Sequence, residues 1–260
     1  APKIADTLRR YPILFDAVLT ADFFEPLPNA ATITSEFELE IERKAQDFQD
    51  VLGIVRRQVN DRLFQVSVQI IRQHMNTDTS GPTIANIADA AINTLCPVVK
   101  KEFVSKHGVL EGGDMAVVAL GKLGGQDMTV GSDLDLLFIY THEGNQSDGE
   151  KSLSPIPYFT RLGQRYISAL TAPAAEGSLF QVDMRLRPSG NAAPLASALK
   201  SFVQYHKNDA WTWERMALTR ARVICSGNDL RKKTEDAIRS ILTMPQKPDQ
   251  LLKDVAAMRV

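Results

Sequence analysis

The stretch Leu120-Gly121-Lys122-Leu123-Gly124-Gly125-Gln126-Asp127-Met128-Thr129-Val130-Gly131-Ser132-Asp133-Leu134-Asp135-Leu136-Leu137 decides the fold. It reads as the end of one buried strand, a glycine-rich turn and the start of a second strand. Met115-Ala116-Val117-Val118-Ala119-Leu120 is a short apolar run that follows the turn-rich Glu111-Gly112-Gly113-Asp114, and it predicts the first strand. The second is predicted over Leu134 to Tyr140. Side chains alternate along a strand, so Asp133 and Asp135 share one side while Leu134 and Leu136 point into the core. Two carboxylates so close repel one another unless a divalent cation sits between them, and oxygen donors of this kind select Mg2+ or Mn2+. The glycines let backbone approach a polyanion and present N–H groups to phosphate oxygens, and Ser132 adds a hydroxyl. Each feature is weak alone: an isolated Asp-x-Asp is usually a solvated strand end, and the turn is neither a P-loop nor Gly-x-Gly-x-x-Gly. Their ordered spacing, ten residues from Leu123 to Ser132 and then Asp-x-Asp, gives them weight.

Such a site needs a third carboxylate on a neighbouring strand. A third strand is predicted from Leu179 to Arg187, within which alternation puts Asp183, Arg185 and Arg187 on one face and Val182, Met184 and Leu186 on the other. Asp183 is placed to share the cation and take a proton, and the arginines to neutralise phosphate. For the arginines, a salt-bridged strand edge is an equal alternative. Downstream, Asp209 to Val223 reads as one helix whose apolar arc, Trp213, Met216, Ala217, Ala221 and Ile224, encloses Arg220. A charge there needs a partner: Glu214, an active-site carboxylate or a phosphate. Trp211 and Trp213 are assigned to packing, Arg215 and Arg222 to solvent.

The first 107 residues carry a helical period. Phe37, Ile41, Ala45, Phe48, Leu52, Val55 and Val59 recur at spacings of three and four, which predicts one long amphipathic helix begun by a capping box at Ser35 and Glu38. Further helices are predicted at roughly 3–24, 61–75 and 83–106, the last kinked or split by Pro97. A helix is expected from Ile156 to Leu170, and more from Leu195 onward. The fold class is therefore α+β, a helical bundle followed by a mixed sheet flanked by helices. The expected domains are a helical region 1–107, a catalytic domain 108–227 and a helical segment 228–260.

Composition narrows the function. In 260 residues, 44% hydrophobic and 23% charged, thirty Lys and Arg face thirty-one Asp and Glu, for a net charge of -1. No bulk positive field exists to hold nucleic acid. No run of apolar residues is long enough for a membrane span, and the start of the chain lacks a signal-peptide core. Cys96 and Cys225 read as reduced thiols of a cytoplasmic protein. An absent initiator Met and an unfinished helix at Met258-Arg259-Val260 lead us to expect an excised fragment.

The glycine turn, the ten-residue spacing and Asp-x-Asp resemble the nucleotidyltransferase superfamily related to DNA polymerase β, although that superfamily usually has Gly-Ser or Gly-Gly where this chain has Gly121-Lys122. More narrowly, Ala119 to Gly125, Gly131 to Leu136, Val182-Asp183-Met184-Arg185-Leu186-Arg187-Pro188-Ser189-Gly190 and the tryptophan block are similar to the glutamine synthetase adenylyltransferases. The resemblance implies a polymerase-β-like catalytic domain that uses ATP and Mg2+ or Mn2+. One half of such an enzyme attaches AMP to a tyrosine of glutamine synthetase; the other removes it by phosphorolysis. It implies a catalytic and metal-binding role for Asp133, Asp135 and Asp183. It implies nucleotide contacts from Gly121, Lys122, Gly124, Gly125, Gly131, Ser132, Arg185 and Arg187, with Glu214 and Arg220 behind them. Glutamine synthetase and, in the full-length enzyme, the PII signal protein are the implied partners. Arg187-Pro188-Ser189-Gly190 and Ala210-Trp211-Thr212-Trp213-Glu214 resemble the attaching half, and Met184 is familiar from the removing half. A nucleotide-binding module without turnover and a small-molecule nucleotidyltransferase are the rival readings.

Overall fold

The computed structural model describes residues 21–171, 179–188, 190, 193–245 and 248–257. The helix expected at 3–24 and the chain end at Met258–Val260 lie wholly or mostly outside them. The chain forms two compact units. One runs up to Val98 and adds Gln126–Ser132 and Ala169–Gln181; the other is Val99–Gly125, Asp133–Ser168 and the chain from Val182 on.

Helices α1 (Ala30–Lys44), α2 (Phe48–Ile71) and most of α3 (Thr77–His107) make the first unit. The single long helix expected through Phe37 and Val59 is in fact two. Ala45 turns extended, and Asp47 accepts from the Asp50 N–H at 2.9 Å while Asp50 accepts from the Gln46 N–H at 2.8 Å. This reciprocal cap starts a new helix without disturbing the spacing of apolar residues, so periodicity runs across the break. The start of α1 is capped by Asn29 rather than Ser35. Nor does Pro97 split α3, which carries both Pro82 and Pro97 inside one continuous helix capped by Asn76.

The second unit is a mixed α/β structure. Strands β1 (Asp114–Ala119), β2 (Leu134–Thr141), β3 (Val182–Asp183), β4 (Ala196–Ala198) and β5 (Arg222–Cys225) form one sheet in the order β3-β2-β1-β5, with β4 also on β2. β1 is antiparallel to β2 and β5; β3 and β4 run parallel to β2, at Leu134–Asp135 and at Phe138–Tyr140. Apolar side chains cover both faces. Leu137 and Ile139 join Ala116, Val118, Phe202, Val223, Leu230 and Ile238 in a core under α6 (Leu199–Asn208) and α8 (Asn228–Leu242). On the other face Tyr140 stacks on Phe159 of α5 (Pro155–Thr171), ring centroids 4.2 Å apart, and Gly163 leaves room for Phe138. Among the described residues no helix is long and apolar enough to cross a membrane.

Two expected elements come out differently. The third strand is two residues long, because the Asp183 carboxylate accepts the Arg185 N–H at 2.8 Å and turns the chain out of the ladder. The tryptophan block is not one helix. It is a short helix α7 (Thr212–Ala217), a 3-10 turn (Leu218–Arg220) and strand β5, in which Val223 and Ile224 are buried. Trp211 and Trp213, assigned to packing, are 71% and 41% exposed. The last described helix, α9 (Pro248–Ala257), packs against α7.

Candidate active site

Parallel pairing of β2 with β3 sets Leu134 opposite Val182 and Asp135 opposite Asp183. Paired residues project to the same side of a sheet, so the register alone makes the two carboxylates neighbours. Asp133 lies one residue before β2 and is exposed. Burial, then the negative charges of Asp183 and Asp133, push the Asp135 carboxyl above its ordinary range, against Arg185 and Lys122.

Asp183 is in the opposite condition. Hydrogen bonds from Arg185 hold its carboxyl below the usual range. Oδ1 accepts from the Arg185 backbone N–H at 2.8 Å and from Nε at 3.1 Å; Oδ2 accepts from Nε at 2.8 Å and Nη2 at 2.5 Å. Arg187, expected on the same face as Arg185, is buried instead and donates from Nη1 to the Met184 carbonyl at 2.7 Å. The turn after Asp183 breaks the alternation that would have aligned them.

The glycine turn folds as a single helical turn, α4 (Gly121–Gly124). Gly121 has φ +52°, and a Cβ there would lie 2.0 Å from Asp135 Oδ2, so only glycine fits beside that carboxylate. Lys122 is exposed next to it. The N–H groups of Gly124 and Gly125 donate to the Leu120 and Gly121 carbonyls. A side chain at Gly124 would strike the Arg220 carbonyl, and one at Gly125 its guanidinium. Ser132 and Gly131 close a separate turn: Ser132 Oγ accepts from the Thr129 N–H at 3.0 Å, and Gly131 has φ +85°. Buried Glu214 accepts from the Tyr205 hydroxyl at 2.8 Å and from the Trp211 N–H, capping α7.

Asp135 and Asp183 thus pair beside Gly121 and Arg185, with the charges of Asp133 and Lys122 acting on Asp135, while Arg220 stands against Gly124 and Gly125. Among the described residues no three His, Cys, Asp or Glu side chains form a ready-made metal cage. The donor chemistry nonetheless suits a divalent cation of the magnesium class: carboxylate oxygens, one of them destabilised by burial and then by its acidic neighbours.

The whole pattern has a counterpart among known proteins. The family described as glutamate-ammonia ligase adenylyltransferase matches residues 1–237. This chain belongs to that family. It is 39% identical to a bifunctional glutamine synthetase adenylyltransferase/adenylyl-removing enzyme of Rhodopseudomonas palustris (strain BisB5). Proteins of the same description from Brucella suis biovar 1 (strain 1330) and R. palustris (strain HaA2) are 38% and 40% identical. Each alignment takes in 100% of this chain and 26% of the relative, so the chain spans about a quarter of the length of these curated relatives.

One residue of the site region escaped the sequence reading. Arg222, assigned to solvent, is half-buried in β5 and donates from Nη2 to the Leu123 carbonyl at 2.9 Å, tying the glycine turn to the sheet. The signal was the β-branched pair Val223-Ile224, which marks a strand where a helix was expected.

Proposed function

We propose that this member of the family transfers AMP from ATP to a tyrosine hydroxyl of glutamine synthetase and releases pyrophosphate, using a polymerase-β-like domain at about 108–227. Helical regions at 1–107 and 228–260 flank it. The observation that carries the reading is the pairing of Asp135 with Asp183 beside Asp133. In this reading Asp133, Asp135 and Asp183 hold Mg2+ or Mn2+. A bound cation supplies Lewis acidity, which favours the deprotonated nucleophile and screens charge on the phosphates.

The chain's own groups do the rest. Lys122 and Arg185 set positive charge beside the carboxylates, where a triphosphate needs it. Gly121 lets the backbone pass close to Asp135, Arg222 ties the glycine turn to β5, and Arg220 lies against Gly124 and Gly125. Asp183 accepts the tyrosine proton as the phenolic oxygen attacks the α-phosphorus; the bond to the bridging oxygen breaks and its electron pair leaves with pyrophosphate. The chemistry needs ATP and fits a cytoplasmic protein, with the PII signal protein as a partner of the full-length enzyme.

The attaching direction is supported by Arg187-Pro188-Ser189-Gly190 and Ala210-Trp211-Thr212-Trp213-Glu214. Mass spectrometry of glutamine synthetase after incubation with the chain, ATP and Mg2+ tests it. A gain of one AMP on a tyrosine is expected. An unmodified target, together with ADP release when AMP-bearing glutamine synthetase is given orthophosphate, would assign the removing reaction instead.

A further inference from the structure

Both oxygens of Asp183 are taken up by one residue, Arg185, in a forked contact from Nε and Nη2. This ion pair adds little to the fold. It joins residues two positions apart, and the backbone hydrogen bond from the Arg185 N–H to Asp183 Oδ1 already fixes the turn without the guanidinium. The Arg185 side chain is 78% exposed while that of Asp183 is 16% exposed, so the arginine can leave without repacking anything. Resting on the reading of Asp133, Asp135 and Asp183 as cation ligands, we propose that Arg185 is a latch: it occupies the Asp183 carboxylate until a divalent cation displaces it, and the freed guanidinium then takes nucleotide phosphate.

The proposal follows from competition for one set of lone pairs. A carboxylate that accepts a forked guanidinium has few oxygen sites left for a cation, so binding must break the contact. A guanidinium released beside three carboxylates and a triphosphate finds a partner of matching fork geometry in the phosphate. Cation and ATP each have to open the latch when they bind alone, and together they open it once. That makes their binding mutually reinforcing, with equal factors in both directions.

The test measures Mn2+ binding by electron paramagnetic resonance, with and without ATP, on the whole chain and four variants. In Arg185→Ala the forked contact is gone and the backbone bond that shapes the turn remains. Mn2+ alone is expected to bind about fivefold tighter, ATP to bind more weakly, and the mutual reinforcement to shrink by about the same fivefold, a factor set by the size of an exposed ion pair. Lys232→Met removes a comparably exposed, ion-paired cation of α8, bound to Asp236 at 2.9 Å, and is expected to change Mn2+ affinity less than twofold. Arg185→Lys keeps the charge without the fork and is expected to fall between the parent and Arg185→Ala. Equal tightening in Lys232→Met and Arg185→Ala, or parental Mn2+ affinity in Arg185→Ala or Arg185→Lys, would overturn the latch. If Mn2+ binds the parent and Asp135→Asn equally well, the cation site itself is wrong, and the underlying reading fails rather than the latch alone.

Discussion

Strands β2 and β3 lie side by side and each contributes a carboxylate, yet they are built in opposite ways. β2 is eight residues long, buried on both faces, and reads directly from its apolar sequence. β3 is two residues long and ends where its own aspartate turns the chain. On β2 the Asp135 carboxyl is driven up by burial and by its acidic neighbours; on β3 the Asp183 carboxyl is held down by Arg185. The long strand is stable enough to carry an unfavourable charge. The short one has its charge locally compensated by Arg185, the contact that the proposed latch exchanges for another cation. A site assembled from both has one strained carboxylate and one guarded carboxylate, a pairing suited to capturing a divalent ion.

The largest effect should come from emptying either side of that pair. Asp135→Asn, with or without Asp133→Asn, and Asp183→Asn should each lower AMP transfer on the order of 10^3-fold in a radiolabelled-ATP assay. Retention of parental rate in any of them breaks the comparison. Next, Gly121→Ala puts a methyl group against Asp135 at a left-handed backbone position. It should cost about 1–2 kcal/mol in urea unfolding and reduce transfer roughly 100-fold by displacing the β2 carboxylate. On the β3 side, Arg187→Ala removes the buried guanidinium bound to the Met184 carbonyl. About 2 kcal/mol of stability should be lost, with Mn2+ affinity falling as the turn loosens around Asp183.

The smallest effect is the most diagnostic of β2. Asp135 binds its proton more tightly in the folded protein than in the unfolded chain, so its charge costs stability at pH above the raised value, and that cost vanishes as pH falls below 3.8. In the presence of a chelator, Asp135→Asn should therefore be slightly more stable than the parent at neutral pH, by a fraction of a kcal/mol because the site is partly solvated. The gain should fade in urea titrations run near pH 4. A loss of stability at neutral pH would show that Asp135 is already compensated and that the two strands do not differ as described.

How much of this was legible in the sequence follows the same division. Regular, apolar elements were readable: β1, β2 and α5 appear within a residue or so of their expected limits, because burial imposes an unbroken pattern. Places where side chains bond to backbone were not. Asp47 divides a helix, Asp183 ends a strand, and Glu214 caps α7 through the Trp211 N–H, and none of these leaves a mark on hydrophobic periodicity. That Asp135 and Asp183 belong together could be read because Asp-x-Asp and Asp183 are chemical signals independent of the secondary structure around them. That Arg185 guards Asp183 while Arg187 is buried depends on the turn, and was legible only in three dimensions.

Anomalous diffraction from crystals of this chain grown with Mn2+ and a non-hydrolysable ATP analogue tests the shared cation site most directly. The expected map has a manganese peak within coordination distance of Asp135 and Asp183, with the Arg185 guanidinium swung onto phosphate. A peak bound elsewhere, or none with both aspartates ordered and nucleotide present, would contradict it.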